Sequence, residues 1–578
     1  MATRETPAEP STPGRLGPRE RETAWERLGA ETFDLVVIGG GVVGVGSALD
    51  AATRGLRVAL VEARDLASGT SSRSSKLFHG GLRYLEQLEF GLVREALRER
   101  ELMLTRIAPH LVKPVSFLYP LSHRVWERPY TAAGLMLYDT MGGARSVPGQ
   151  KHLTRAGALR MVPALKPDAL IGGIRYYDAQ ADDARHTMMV GRTAAHYGAV
   201  VRTSTQVVGF LREADRVSGV RVRDVEDGRE TDVRAHAVIN ATGVWTDELQ
   251  RLSGSRGRFR VRASKGVHIV VPRDRIVSES GLILRTEKSV LFVIPWRNHW
   301  IVGTTDTDWN LDLAHPAATK NDIDYILDHV NSVLATPLTH DDIEGVYAGL
   351  RPLLAGESES TSKLSREHAV ARVAPGLVAI AGGKYTTYRV MGADAVDAAS
   401  VDLPGRLQPS ITDKVPLVGA DGYHALVNQA DQLAHRYGLH PYRVRHLLDR
   451  YGSLVHEVLA ASDPELLKPV PHAPDYLQVE VVYAASHEGA LHLEDVLTRR
   501  TRISIEYPHR GVDCAEVVAR LMARVHGWDD AQVAREVEIY TARVAAERAS
   551  QTEPNDQAAD AVRSAAPEAR PKITEPVS

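Results

Sequence analysis

The stretch FDLVVIGGGVVGVGSALDAATRGLRVALVEA (33–63) decides the fold. FDLVVIGG (33–40) and LRVALVEA (56–63) are short β-branched apolar runs, the pattern of strands buried on both faces of a parallel sheet. Between them GSALDAATRG (46–55) sets small and apolar residues at helical spacing and closes on Gly55 as a C-cap, completing a βαβ unit. Gly39, Gly41 and Gly44 form G-x-G-x-x-G at the strand-to-helix turn, and Glu62 ends the next strand 18 residues beyond Gly44. Gly39 then serves the tight turn, Gly41 admits a pyrophosphate to the backbone, and Gly44 lets helix and strand pack closely. The helix N-terminus offers the anion N–H groups and positive dipole, and Glu62 is the expected acceptor for an adenosine ribose.

That fingerprint serves NAD and FAD alike, so the choice comes from elsewhere in the chain. VRAHAVINATGVW (233–245) is a strand ending in Ala241, Thr242 and Gly243, as in flavoproteins with two dinucleotide-binding domains, where a second strand passes the cofactor. LVAIAGGKYTTYRVMGADAVDAA (377–399) is a strand, a Gly382-Gly383 turn carrying Thr386 just beyond it, and an amphipathic helix. The start of such a helix stabilises negative charge at the pyrimidine edge of a reduced flavin. Three separated elements converging on one extended ligand favour FAD.

The whole chain has 578 residues, which at roughly 150 per domain suggests three or four units. With 43% hydrophobic and 25% charged residues it is neither disordered throughout nor collagen-like. Acids outnumber bases by 73 to 70, so no global field draws nucleic acid, and no nucleic-acid partner is expected. The single cysteine, Cys514, excludes an internal disulfide and a Cys-based metal site; no metal is expected. No apolar run is long enough for a signal peptide or a spanning helix, and the protein reads as cytoplasmic. Residues 1–25 and 549–578, rich in Pro, Ala, Glu and Ser, are expected to be disordered tails. The fold class is α/β (α+β). An FAD Rossmann domain of the two-dinucleotide-binding type is interleaved over 26–410 with a mixed-sheet substrate domain, drawn mainly from about 90–170 and 255–345. A helical C-terminal domain follows over 411–548 and includes a long helical pattern at 530–549.

Further motifs carry a resemblance. TSSRSSKLFHGGLRYLE (70–86), KGVHIVVP (265–272), LFVIPW (291–296), GTTD (303–306), GLRPL (349–353) and GGKYTTYR (382–389) together resemble the FAD-dependent glycerol-3-phosphate dehydrogenases. The resemblance runs over about 30–400, and EDVLTRRTRISIE (494–506) resembles the start of that family's helical C-terminal domain. It implies oxidation of sn-glycerol 3-phosphate to dihydroxyacetone phosphate, with electrons passing from reduced FAD to a membrane quinone. It implies peripheral contact with the membrane surface, on the cytoplasmic face of the inner membrane, and leaves a homodimer open. An oxidase that hands electrons to oxygen would use the same pocket. An amino-acid oxidase would not need the cations described next, and a non-catalytic FAD-binding protein would ignore the substrate.

A phosphate dianion needs several cations and donors, and bidentate Arg suits it best. By resemblance the phosphate pocket draws on Arg83, Tyr84, Arg351, Arg366 and Lys384, with Thr304 and Thr305 as hydroxyl donors. Lys384 stands out in a chain with 12 lysines against 58 arginines. His268 is the candidate base for the C2 hydroxyl, with an ordinary pKa of about 6.5, on an alternating strand that directs it into a cavity. Arg351 either stabilises the developing alkoxide or binds the phosphate. In 70–85 the hydroxyls of Thr70, Ser71, Ser72, Ser74 and Ser75 and the Gly80-Gly81 backbone suit a flavin. Ser74, Ser75, Lys76, Leu77 and His79 match the family's cofactor contacts, Arg73 is expected to carry no chemistry, and the FAD is expected to be non-covalent. For the membrane, SHRVWERPYTAAGLMLYDTMGGAR (122–145) combines Arg124, Arg128 and Arg145 with Trp126 and Tyr130; a substrate-domain helix with an apolar core face reads the same way.

Overall fold

The computed structural model describes residues 14–81, 89–121, 147–254, 259–286, 290–355, 368–460 and 463–570. The proposed membrane stretch 122–145 lies outside these residues. In chain order the strands are β1 (Thr32–Ile38), β2 (Val58–Val61), β3 (Leu77–Phe78), β4 (Lys113–Leu121), β5 (Lys151–Thr154), β6 (Gly172–Gln180), β7 (Val200–Arg202), β8 (Thr205–Glu213) and β9 (Arg216–Asp224). They continue as β10 (Glu230–Asn240), β11 (Val261–Pro272), β12 (Gly281–Arg285), β13 (Val290–Trp296), β14 (His299–Gly303), β15 (Thr307–Trp309), β16 (Gly345–Leu354), β17 (His368–Ala374) and β18 (Leu377–Gly382).

The first sheet has the order β17-β18-β10-β1-β2-β7, with β8 and β9 attached beside β10. Its centre is parallel: Ile38 at the end of β1 stands opposite Asn240 on one side and Val61 on the other. Leu35, Val36 and Val37 are fully buried, which is why this strand reads as a continuous apolar run. The connecting helix of the βαβ unit spans Val42–Thr53. The second sheet, mostly antiparallel, has the order β15-β11-β14-β13-β12-β4-β6-β3, with β16 on β11 and β5 on β6. The chain leaves the first sheet twice, over 77–180 and 261–354, to build the second, so the carboxyl ends of the first sheet face strands from distant sequence.

From residue 423 the chain is helical apart from one hairpin, Pro469–Val470 with Ala473–Leu477, and buries its own core around Leu447, Val455, Val481, Leu497 and Met522. The segment 494–506 docks this domain. Arg500 clamps Asp65 with two bonds of 2.7 Å, Arg499 reaches the same carboxylate at 2.6 Å, and Arg502 reaches Asp182 at 2.7 Å. All these groups are buried or nearly so, which is tolerable only because each charge is paired.

Both tails need correction. Residues 18–25 belong to helix α1 (Pro18–Ala30), which starts on Pro18 and buries Ala24 and Leu28, one turn apart, against Phe33 of β1. Arg21 bonds Thr203 O at 2.6 Å. At the other end α2 (Asp530–Ser550) is followed by α3 (Asp556–Ser564), whose Ala559 is fully buried. Arg570 holds Asp495 with bonds of 2.9 and 2.8 Å. Composition alone missed both segments because a few well-placed apolar and charged anchors, some with partners far along the chain, suffice to order a polar stretch.

Candidate active site

One cavity of about 1560 Å³ runs from the β1 turn to the face of the second sheet. Small-ligand pockets span about 300–1,000 Å³, so this one suits an extended dinucleotide with a substrate beyond it. At its first end Gly39 holds φ +112°, and a Cβ on Gly44 would fall 1.8 Å from the Gly39 carbonyl oxygen. A Cβ on Gly41 would meet nothing nearer than Ser71 Oγ at 3.4 Å, which leaves the cradle open toward the cavity. Ser71 Oγ accepts the Val42 N–H at 2.9 Å and so places its hydroxyl at the same helix start. Glu62 accepts the N–H of Gly40 at 2.6 Å and of Arg64 at 2.7 Å, and burial pushes its carboxyl pKa up. Gly39, Gly41, Glu62, Ala241, Thr242 and Gly243 all line this end. Open cradle, helix start and buried acid fit the adenosine diphosphate half of FAD.

The middle is shaped by 70–79. Thr70 Oγ1 donates to Leu350 O at 2.6 Å and ties the segment to β16. Asp183 accepts from Ser74 N at 2.9 Å and Ser74 Oγ at 2.7 Å, and Tyr347 Oη donates to Ser74 O at 3.0 Å. Thr70, Ser71, Ser74, Ser75, Leu77 and His79 line the cavity, with Gly382 and Gly383 on the far wall.

At the second end the register of β11 against β16 sets His268 opposite Tyr347, and the rings stack with centroids 4.8 Å apart. Ser75 Oγ sits 2.9 Å from His268 Nε2, while Nδ1 has no partner among the described residues. Burial, then Arg351 and Lys76, pushes the imidazole well below its ordinary pKa, so it is neutral near pH 7. Arg351 donates to Thr304 Oγ1 at 3.1 Å and lies across Gly266, where a Cβ would come within 2.6 Å of its Nη2. His268, Arg351 and Thr304 share this end of the cavity, and Lys384 also lines the cavity.

Several expected contacts are corrected. Lys76 turns away from the cavity to pair with Asp183 at 2.8 Å, because Asp183 is the carboxylate available to a buried ammonium there. Thr305 is buried and accepts the Val267 N–H at 3.0 Å, bracing β11 instead of facing substrate. Thr386 likewise binds the backbone of His79, and Gly81 lines the cavity where Gly80 does not. Arg83, Tyr84 and Arg366 lie outside the described residues. Arg73, expected to carry no chemistry, lines the cavity and donates to Ala314 O at 3.0 Å. Ser564 and Glu568 also line it, and Glu568 accepts from Arg64 at 2.8 Å, so the C-terminal segment closes one side. Tyr347, Gly266 and these C-terminal residues were missed because strand pairing and long-range docking set their places. The one local hint was Gly266, two residues before the candidate base.

Residues 34–389 match the family model described as FAD dependent oxidoreductase, and 410–533 that described as the C-terminal domain of alpha-glycerophosphate oxidase. Glycerol-3-phosphate dehydrogenase 2 of Mycobacterium tuberculosis (strain ATCC 25618 / H37Rv) is 73% identical over 564 residues, 97% of this chain and 96% of that protein. The mitochondrial glycerol-3-phosphate dehydrogenase of Homo sapiens is 37% identical over 536 residues, 88% of this chain and 72% of that one. The solved structure of the glycerol-3-phosphate dehydrogenase from Bacillus halodurans, complexed with FAD, matches with a TM-score of 0.76 at 29% identity, covering 92% of this chain and 98% of that one.

Proposed function

The chain belongs to the FAD-dependent oxidoreductase family, among its glycerol-3-phosphate dehydrogenases, and on that premise we propose that it oxidises sn-glycerol 3-phosphate to dihydroxyacetone phosphate and delivers the electrons to a membrane quinone. The observation that carries this reading is a neutral buried imidazole, His268, beside the Arg351 guanidinium in a dinucleotide-length cavity that Lys384 also lines. The Gly39–Gly44 turn, Glu62 and the 70–79 segment would hold FAD, which would supply the two-electron acceptor.

The protein's own residues handle charge and the proton. Oxidation at C2 removes a hydride from carbon and a proton from the hydroxyl, leaving a ketone. The neutral His268 ring takes the proton on whichever nitrogen the Ser75 bond leaves unprotonated, and stacking on Tyr347 fixes the ring plane. Arg351, held by Thr304 and the backbone of Thr305, presents fixed positive charge to the alkoxide or phosphate, so little reorganisation is needed as charge develops. Lys384 adds a second cation for a phosphate dianion.

No helix among the described residues is long and apolar enough to cross a membrane, and we place the protein peripherally, on the cytoplasmic face of the inner membrane, where a quinone is within reach. The test is anaerobic mixing of the FAD-loaded protein with sn-glycerol 3-phosphate, followed by quinone or oxygen in separate cells. Bleaching of the flavin, reversed quickly by quinone and slowly by oxygen, is expected. Fast recovery in oxygen with peroxide release would make it an oxidase, and no bleaching would remove the substrate assignment.

A further inference from the structure

A second cavity, of about 110 Å³, lies between β16, the 494–510 segment and helices α2 and α3; among the described residues Arg73 alone lines both it and the cofactor cavity. Six guanidinium groups face it, from Arg73, Arg499, Arg502, Arg510, Arg543 and Arg563, against two carboxylates, Glu494 and Glu547. Three of the six are committed elsewhere: Arg499 to Asp65, Arg502 to Asp182, and Arg543 to Glu568 at 3.2 Å. Of the other three, two share one carboxylate. Glu547 accepts from Arg510 at 2.8 Å and from Arg563 at 3.1 Å, and among the described residues the Arg73 guanidinium has only the carbonyl of Ala314.

The hydrogen bonding is short of acceptors as well. Arg510 is 6% exposed and its Nε has no partner among the described residues; Gln551, whose Oε1 accepts from Arg510 at 3.0 Å, leaves its Nε2 likewise without one among them. Buried donors without acceptors are costly, and two of them line the same small space as an excess of positive charge. Burial first, and then Arg563 against the opposing Glu494, pushes the Arg73 pKa down to about 10. His315 on the same wall is pushed down to about 3 by burial and so adds no charge near neutrality.

We propose that this cavity binds a small oxyanion of the phosphate class, held by Arg73, Arg510, Arg563 and Gln551. A space of about 110 Å³ suits one tetrahedral anion, well below the roughly 300–1,000 Å³ of pockets that take larger ligands. With Arg499, Arg502 and Arg543 paired elsewhere, Arg73, Arg510 and Arg563 still outnumber Glu494 and Glu547, so an anion offsets the remaining positive charge and its oxygens supply the acceptors that Arg510 and Gln551 lack. Because Arg73 comes from the flavin-facing segment, Arg510 from the helical domain and Arg563 from α3, the anion joins three parts of the molecule around the cofactor cavity.

The test titrates inorganic phosphate calorimetrically into the FAD-loaded full chain and into Arg563→Gln, Gln551→Leu and Arg351→Gln variants, with FAD content and melting temperature as folding controls. The wild type is expected to show a phosphate site that Arg563→Gln and Gln551→Leu weaken at least about tenfold and that Arg351→Gln leaves intact. Should Arg563→Gln lose FAD, Arg563→Lys replaces it, since Lys keeps the charge but not the planar fork. Phosphate binding that only Arg351→Gln removes, or none in the wild type, overturns the proposal. Neither result bears on the oxidation assigned above, which the flavin-bleaching experiment reads separately.

Discussion

His268 is 2% exposed, lies flat against Tyr347, and feels two positive charges, Arg351 and Lys76. Burial and those charges disfavour the imidazolium, so the ring stays neutral to well below pH 6.5. A base is active when neutral, and its activity is lost as pH falls through the folded pKa. Log kcat/KM for sn-glycerol 3-phosphate should therefore stay level from about pH 8 down to about 6.5; a fall centred above 7 would contradict a neutral resting base. His268→Asn should keep its FAD and lose about 10²–10⁴ in kcat. Gly266→Ala tests the same centre without touching a reacting group, because the new Cβ would sit 2.6 Å from both Arg351 Nη2 and Thr304 Oγ1. Displacing that guanidinium by about 1 Å is expected to lower kcat/KM about 10²-fold, and unchanged kinetics would show that Arg351 does not act from this position.

At the scale of elements, the β1 turn was legible because one local pattern carries strand, glycines, helix and acid within thirty-odd residues. Lys76, Thr305 and Thr386 were not, since each sits in a motif facing the cavity while its side chain serves a buried partner: Asp183, Val267 N and His79 N respectively. Alternation along a strand says which face a side chain takes, but not which ion pair outbids a ligand for it. The C-terminal segment was the largest misreading. It is polar and rich in Ala, Glu and Pro, yet Ala559 is buried and Glu553 O, Pro554 O, Asp556, Arg563, Glu568 and Arg570 each find a partner in the body of the protein. With Ser564 and Glu568 on the cavity wall, a chain truncated after Gln551 should release FAD at least about tenfold faster than the full chain, followed by flavin fluorescence on dilution. Equal release rates would mean that the segment merely rests on the opening.

Across the whole molecule the helical domain and the FAD domain are joined by paired charges, and one of those pairs contains a histidine that loses its charge on the alkaline side. His492 sits 2.9 Å from Glu536 on α2 and 3.1 Å from Glu226, between β9 and β10. Burial and Arg570 oppose its charge, but the bonds to Glu226 and Glu536 outweigh them and hold its pKa up to about 9. Glu226 in turn is held down to about 2: burial alone would raise it, but His492 and Arg570 keep it ionised. For a group whose folded pKa is raised, the stabilisation is complete below the unfolded value of about 6.5 and disappears as pH rises through the folded one. The Glu226 contribution has the opposite sense, present above its unfolded pKa near 4.5 and lost only as pH falls toward 2. Between these limits the junction is fully charged on both sides. Urea unfolding of the wild type should therefore weaken between about pH 6.5 and 9, with His492 accounting for at most about 3 kcal/mol. His492→Gln keeps a hydrogen-bonding side chain but cannot titrate, so it should be less stable at pH 6 and lose less of its stability over the same range. An identical pH slope in wild type and variant would place the titrating contact elsewhere and leave His492 as a neutral packing residue.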